Sequence, residues 1–511
     1  MRGSARVGLA ATPPLALALG LFLGGGCAAH IEARTQPLVA PPAPHGATPS
    51  ARQVRWHERD LYAFLHFTTN TFTDREWGYG DESPTVFAPT DFDADQIVGT
   101  LEGAGFRGVI LTCKHHDGFC LWPTDTTDHD VAASPFRGGD GDVVREISEA
   151  CARHGVAFAP YVSPWDRNSA LYGTSEYVTE VFRPQIAELL TRYGPVFEVW
   201  FDGANGGDGF YGGANETRSI DRTTYYGWDE TWTGVRALSD DAVIFSDVGP
   251  DVRWVGNERG VASDPCWATF TPKGPDGGEG YGPGLCDYAD SGSGTVDGAR
   301  WIPAECDVSI RPGWFWHASE SDRVKSVDEL WDLYLASVGR GASLLLNVPP
   351  DRRGQLDAPD VRSLEGFGAR LRATFTNDLA QGAELRASAV RGDDALFYGP
   401  RRLVDGDRWS AWCTDDDVRE ASVTLTLPEP RAFDLVRLRE DVRLGQRVRG
   451  LAVDVWTDGA WAQRAEVRSI GACRLIALDE PVTTDRVRVR ITAAAASPAL
   501  SEIGLFWTAA R

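Results

Sequence analysis

From Trp56 onward, short runs of apolar residues alternate with longer stretches whose apolar positions recur at helical spacing. The runs at 61–67, 108–113, 156–163, 196–202, 242–247 and 342–348 predict buried strands. The stretches at 93–105, 142–154, 174–193 and 356–375 predict helices; in the first, Ile97, Val98 and Leu101 fall on one stripe and Gly103 and Gly105 stop it. Strands spaced by helices imply a parallel sheet, and this many imply a closed barrel. Residues 203–320 are less regular and rich in glycine, aspartate and aromatic residues, as expected of long loops at a barrel's functional mouth. After about residue 377 the period changes to two, with strict alternation at 423–427 and 487–491 and a turn at Asp458-Gly459. The predicted fold class is α/β, a (β/α)8-like barrel over 52–377 followed by an antiparallel β-sandwich over 378–511.

The stretch 196–203 organises the barrel. Counting by twos from Asp202 puts Trp200 and Glu198 on its face and Phe201, Val199 and Phe197 on the other. A carboxylate at the carboxyl end of a barrel strand occupies the place where such barrels hold their chemistry, although an aspartate before glycine also opens turns. His66, His115, His116, Tyr161 and Asp247 stand at other strand ends. A metal hydrolase needs histidines converging on one ion, yet His66 has no second histidine two residues away. His115 and His116 are adjacent and would face opposite sides of a regular strand. A glycosidase needs two carboxyls, one ionised and one protonated, with neutral histidine and tryptophan to bind hydroxyls and sugar faces.

Composition adds an address and excludes some partners. The net charge of -23 disfavours nucleic acid and anionic membrane surfaces, and 18 tryptophans suit a chain that handles carbohydrate. Residues 1–27 read as a signal peptide that closes on Gly24-Gly25-Gly26-Cys27, similar to a bacterial lipoprotein cleavage site. The protein is therefore expected to be exported, to the periplasm, the cell surface or the medium, touching a membrane only through a lipid on Cys27. Residues 28–51 read as a flexible linker. Eight further cysteines show no metal-ligand spacing, and Cys413 with Cys473 form the one candidate bridge of the C-terminal unit.

Several ordered motifs then resemble one family. Trp56-His57, Phe64-Leu65-His66-Phe67, Glu76-Trp77-Gly78-Tyr79-Gly80, Lys114-His115-His116-Asp117-Gly118-Phe119, Trp200-Phe201-Asp202-Gly203, Val308 to Trp314 and Leu345 to Asp351 resemble the α-L-fucosidases of glycoside hydrolase family 29. The resemblance implies a retaining exo-glycosidase without a cofactor or metal, acting on fucosylated oligosaccharides or glycoconjugates. It carries the nucleophile role onto Asp202 and fucose binding onto His66, Trp77, His115, His116 and Tyr161. Trp316 is the candidate to pack against the fucose methyl group. The segment from Gly249 to Glu258 is similar to the branch that cleaves 1,3- or 1,4-linked fucose on branched, Lewis-type glycans, and it assigns the acid/base to Glu258, with Glu76 and Glu305 as competitors. Trp254 is the expected apolar neighbour that raises the Glu258 pKa. Tyr281, Tyr288 and Trp301 are expected to offer stacking faces to the neighbouring sugar. The C-terminal unit, with Val404 to Trp412 as its best match, resembles a discoidin or galactose-binding-like domain. Two further readings remain: a barrel that only binds fucosylated glycans, and a metal-dependent barrel hydrolase.

Overall fold

The structure, a computed structural model, describes residues 36–508. The export segment with Cys27, and the start of the 28–51 linker, lie outside the described residues. Eight parallel strands close a barrel in chain order: β1 (Leu61–Leu65), β2 (Gly108–Lys114), β3 (Ala157–Val162), β4 (Glu198–Trp200), β5 (Val243–Ser246), β6 (Val252–Trp254), β7 (Ala304–Ser309) and β8 (Ser343–Asn347). The connections after six of them carry helices: α1 (Ala94–Gly103), α2 (Val143–His154), α3 (Arg183–Arg192), α4 (Trp228–Leu238), α5 (Val327–Ala336) and α6 (Ala358–Phe375). Aspartate caps start the first two: Asp93 and Asp142 each accept the backbone N–H three residues on at 2.9 Å.

The strands β6 and β7 fall inside the stretch expected to be irregular. β7 turns Glu305, Asp307 and Ser309 into the barrel and Cys306 and Val308 into the outer core, so its inward face is polar and its pattern is hidden. β6 is three residues long, and the outward Arg253 is buried by bonding to the carbonyls of Ser291, Trp267 and Ile302. No α-helix separates β5 from β6 or β6 from β7 among the described residues; a short turn over 247–251 joins the first pair, and a long loop over 255–303 with one 3-10 turn at Pro275–Gly277 joins the second.

The C-terminal unit is an antiparallel sheet of seven strands: β9 (Glu384–Ala387), β10 (Trp412–Cys413), β11 (Ala421–Glu440), β12 (Val448–Thr457), β13 (Ala460–Val467), β14 (Arg474–Ala494) and β15 (Ala499–Phe506). Register shifts break β11 near Pro428 and Pro430 and again beyond Phe433, so that the long strands bend and fold over one apolar core. The domain docks through buried charge as well as apolar contact. Asp60, just before β1, lies between Arg439 at 3.4 Å and Arg408 at 3.6 Å, and Arg474 grips Asp264 with two bonds of 2.9 and 2.6 Å.

Two expectations are corrected. Residues 38–45 are not free linker; they lie along the C-terminal domain. Leu38 N–H donates to Asp394, Arg391 and Arg447 donate to the carbonyls of Ala40 and Ala43, and His45 N–H donates to Leu444. A proline-rich segment has few N–H groups but a full set of carbonyls, and arginines satisfy them. Cys413 and Cys473 are free thiols, because they are buried in different clusters: Cys413 beside Tyr398, Cys473 in the core shared with the barrel.

The barrel interior holds a carboxyl pair. Glu305 accepts Trp200 Nε1 at 2.7 Å and the Tyr62 hydroxyl, Glu198 accepts Trp56 Nε1 at 3.1 Å, and the two carboxyls hydrogen-bond to each other. Two fully buried carboxylates cannot both ionise in contact. Burial first, then the proximity of Glu305, raises the Glu198 pKa well above the usual range, and burial lifts Glu305 to about 7. Folding therefore favours the protonated pair. Its contribution is fully present below the ordinary glutamate value and is lost as pH rises toward neutrality. Glu198→Gln, whose amide can donate permanently to Glu305, is expected to raise the melting temperature at pH 8 and to flatten its dependence between about pH 5 and 8. A variant profile parallel to that of the parent protein would contradict a shared proton.

Candidate active site

The mouth at the carboxyl ends of the strands opens into a cleft of about 380 Å³. His66, Trp77, His115, His116, Tyr161, Asp202 and Glu258 all line it. Asp202 follows β4 directly. Its Oδ1 accepts Ala204 N–H at 2.6 Å, which is the turn expected of the local sequence, and its Oδ2 accepts the Tyr161 hydroxyl at 3.0 Å, with His116 Nε2 at 3.9 Å. Gly203 is not there for a left-handed turn: a Cβ would meet Asp247 Oδ2 at 2.4 Å. Burial pushes the Asp202 carboxyl above its ordinary value, and the two donors pull it part of the way back.

His115 and His116 both reach the cleft despite being neighbours, which corrects the regular-strand expectation. The β2–β3 register shifts between Thr112 and Lys114, and the two histidines lie past the strand in a turn closed by Gly118 N–H to His115 O at 3.0 Å. Gly118 has φ +78°, and a Cβ would meet Asp166 at 2.4 Å. The two rings stand 4.1 Å apart. His66 Nδ1 pairs with the Asn347 amide oxygen at 2.8 Å and His116 Nδ1 with Ser163 Oγ at 2.7 Å. Burial lowers the His66 and His116 pKa values to about 3 and that of His115 well below its usual value, so all three rings are neutral. Among the described residues, no three His, Cys, Asp or Glu side chains are grouped as a metal ion would require.

The three candidate acids separate clearly. Glu305 is buried in the barrel one layer below the cleft. Glu76 is committed to a loop: it accepts the N–H groups of Trp314 at 2.7 Å and Phe315 at 3.2 Å and contacts His317 Nε2 at 2.7 Å. Glu258 stands exposed at the rim on the loop after β6. Partial burial and the nearby Asp202 and Glu76 raise its pKa against a lowering hydrogen bond from the Trp314 indole. Trp254 instead gives its N–H to Asp307 at 2.7 Å.

Trp316 does not line the cleft. Its indole N–H donates to Asp357 at 3.2 Å, and Trp314, two residues earlier, takes the place at the wall, 5.2 Å from the His66 ring. Of the three aromatic residues expected near a second sugar, only Tyr288 lines the cleft. Trp301 is buried beside His57 against the C-terminal domain, and Tyr281 lies on the barrel flank. The remaining wall includes Tyr288, expected as a stacking face, Asp247, expected only as a strand-end polar residue, and Arg222 and Asp307, which the sequence did not assign. Asp247 was visible as a strand-end polar residue; it accepts Tyr288 Oη at 2.5 Å and Gly284 N–H at 2.9 Å, and burial pushes its pKa to about 6. Asp307 belonged to the unrecognised β7, and Arg222 comes from a loop without a pattern.

The cleft thus joins five carboxyls, three neutral imidazoles and four indoles around one guanidinium. Such a wall hydrogen-bonds hydroxyls, stacks on a sugar face and favours positive charge developing at a carbon.

The sequence model described as Alpha-L-fucosidase matches residues 45–374, and that of the F5/8 type C domain matches 385–503. Alpha-L-fucosidase 1 of Arabidopsis thaliana is 38% identical, over 91% of this chain and 88% of that protein. A glycoside hydrolase 29 family member from an unknown rumen bacterium superposes with a TM-score of 0.80 at 37% identity, over 92% of this chain and 78% of that one. A Ruminococcus gnavus GH29 fucosidase in complex with fucose superposes with a TM-score of 0.80 at 31% identity, over 93% of this chain and 97% of that one.

The loop that carries Trp314 is held by charge, and its hold is testable. Burial lowers the His317 pKa, but the hydrogen bonds its ring donates to Asp74 at 2.8 Å and to Glu76 outweigh it and keep it above the ordinary value. Both ring nitrogens donate only in the imidazolium. Its stabilisation is complete below the ordinary histidine pKa and is lost as pH rises through the folded value. His317→Gln is expected to lower the melting temperature most below about pH 6.5, with the gap closing in alkali. A gap that does not change with pH would contradict the ion-pair reading.

Proposed function

The chain belongs to the α-L-fucosidase family of glycoside hydrolases, GH29, and is a glycoside hydrolase, and from this premise we propose that it releases terminal fucose with retention of configuration, using Asp202 as nucleophile and Glu258 as acid/base. The observation that carries the proposal is that Asp202, at the end of β4 and held by Tyr161, shares one cleft with a rim carboxyl whose pKa is raised.

Asp202 Oδ2 attacks the anomeric carbon while Glu258 protonates the departing glycosidic oxygen, forming a fucosyl ester. Glu258, now ionised, takes a proton from water, which attacks the same carbon and frees Asp202. His66, His115, His116 and Trp77 bind the fucose as neutral groups, so none adds charge against the oxocarbenium-like transition state. Trp314 replaces Trp316 as the aromatic wall. Asp202→Gly is expected to lose several orders of magnitude in kcat with the fold intact by circular dichroism. Glu258→Ala is expected to keep activated aryl fucosides as substrates and to regain rate with azide. Near-normal turnover of the first variant, an inverted first product, or a second variant indifferent to azide would sink the assignment.

We further propose preference for 1,3- or 1,4-linked fucose on branched glycans. The wall of Asp247, Tyr288 and Arg222 stands beyond Asp202 on loops from the long 203–303 region, where a second branch sugar would contact it. Contacts made to that sugar in the transition state raise kcat/KM. Lewis-type trisaccharides are expected to be cleaved much faster than 2′-fucosyl-lactose. Equal rates would remove the linkage proposal and leave the hydrolase in place.

A further inference from the structure

A second cavity, about 530 Å³, opens on the barrel flank over the start of α4. Its walls come from Thr223 to Trp232, from Val248 and Pro250 after β5, from Tyr281 to Pro283, and from Arg300. It is separate from the cleft but shares a partition with it. Gly284 faces the cleft and Gly282 and Pro283 face the flank; Arg222 lines one side and Thr223 the other.

The partition is thin and fixed. Gly282 and Leu285 exchange backbone bonds of 2.9 and 3.0 Å, Arg222 donates to Gly284 O at 2.6 Å, and Gly284 N–H donates to Asp247 in the cleft. A Cβ on Gly284 would lie 1.9 Å from Gly203 O, and one on Gly282 3.1 Å from Arg222 O. The hairpin, packed this closely against the loop that carries Arg222, forms a ridge between the two cavities.

The lining has the chemistry of a sugar site. Tyr281 is 39% exposed; its hydroxyl accepts Arg300 at 2.9 Å and the guanidinium lies over the ring, 5.9 Å from its centroid, which fixes its position and leaves the remaining ring surface to solvent. Trp232, stacked on Trp228 with centroids 5.8 Å apart, has a buried indole N–H without an acceptor among the described residues. The hydroxyls of Thr223 and Thr224 and the carboxylates of Asp229 and Glu230 complete a polar rim. An open aromatic face beside hydroxyls and carboxylates matches the alternating C–H faces and hydroxyl edges of a pyranose.

We propose that this flank cavity is a distal glycan subsite, which holds a neutral sugar of the same oligosaccharide whose terminal fucose occupies the cleft. The proposal rests on the fucosidase reading above. The core of a longer glycan leaves the cleft past Asp247 and Tyr288, crosses the Gly282–Gly284 ridge and stacks a ring on Tyr281. Binding energy from that remote ring is then available to the transition state at Asp202.

The test compares a fucosylated trisaccharide with a fucosylated hexasaccharide that carries the same terminal branch. Tyr281→Ala is expected to lower kcat/KM on the hexasaccharide about tenfold, the loss of one aromatic contact, and to leave the trisaccharide unchanged. Tyr281→Phe, which keeps the ring, is expected to retain the hexasaccharide rate. Calorimetric titration of the full chain with the defucosylated pentasaccharide core gives a readout that needs no cleavage, and Tyr281→Ala is expected to abolish its heat. An equal loss on both substrates, no loss on either, or unchanged binding of the core would overturn the subsite. Failure of the parent protein to release fucose from either substrate would count against the fucosidase reading, and the core titration would still decide the subsite.

Discussion

The hydrogen bond from Trp200 to Glu305 joins the barrel interior to its mouth. β4 is only three residues long, and two of them face inward: Glu198 into the carboxyl pair, Trp200 above it. The Trp200 ring lies flat on Phe245 at 4.2 Å and against Tyr161 at 5.1 Å, and Tyr161 then donates to Asp202. A carboxylate at the end of so short a strand has little backbone to hold it. The column of protonated carboxyl, indole, phenol and carboxylate supplies that rigidity across three strands. Below it the Glu198–Glu305 pair must keep at least one proton, because two ionised carboxylates at that depth would lack a counterion.

The same economy of charge governs the cleft. Five carboxyls and one guanidinium face a volume whose imidazoles are all neutral. Acids crowded in this way raise one another's pKa values, and burial adds to the effect, so that members stay protonated and donate while others stay ionised. Burial raises both Asp202 and Glu258: two donors pull Asp202 part of the way back, whereas Glu258 has one lowering hydrogen bond and acids for neighbours. A protonated histidine among them would oppose the positive charge that glycosidic cleavage builds on the sugar.

Much of this was legible in the sequence, and the gaps have physical causes. Strands whose inward residues are apolar or aromatic, such as β1 with Tyr62 and Phe64 and β5 with Val243 and Phe245, announce themselves by hydropathy. β7 does not, because its inward face bears Glu305, Asp307 and Ser309, and β6 is too short for any period to register. Asp202 was readable from its place at a strand end, and the histidines from their motifs. That His115 and His116 converge was not, since the strand stops early and a turn re-aims both rings. Trp314 and Trp316 share a local pattern, and only the pull of Glu76 on the Trp314 and Phe315 N–H groups decides which faces the cleft. Arg222 and Tyr288 are brought in by loops more than sixty residues apart in the chain, a closeness that no local signal encodes.

The position of the C-terminal domain follows from where its arginines find partners. Asp60 precedes β1, and Asp264, Trp301 and Gly341 also lie below or beside the barrel, away from the strand ends that hold Asp202. Burial would raise the Asp60 pKa, yet Arg408 and Arg439 overcome this and hold it low, so the contact is a buried ion pair. Removing Asp60 would leave the largely buried Arg408 guanidinium without its carboxylate, which costs far more than the pair itself contributes. Apolar residues of both units, among them Tyr334, Phe375, Leu435 and Phe506, close over the same junction. A domain fixed there contributes no residue to the wall of the mouth, which is lined by the loops after the strands: Glu76 and Trp77 after β1, Arg222, Asp247, Glu258 and Tyr288 from the 203–303 region, and Trp314 after β7.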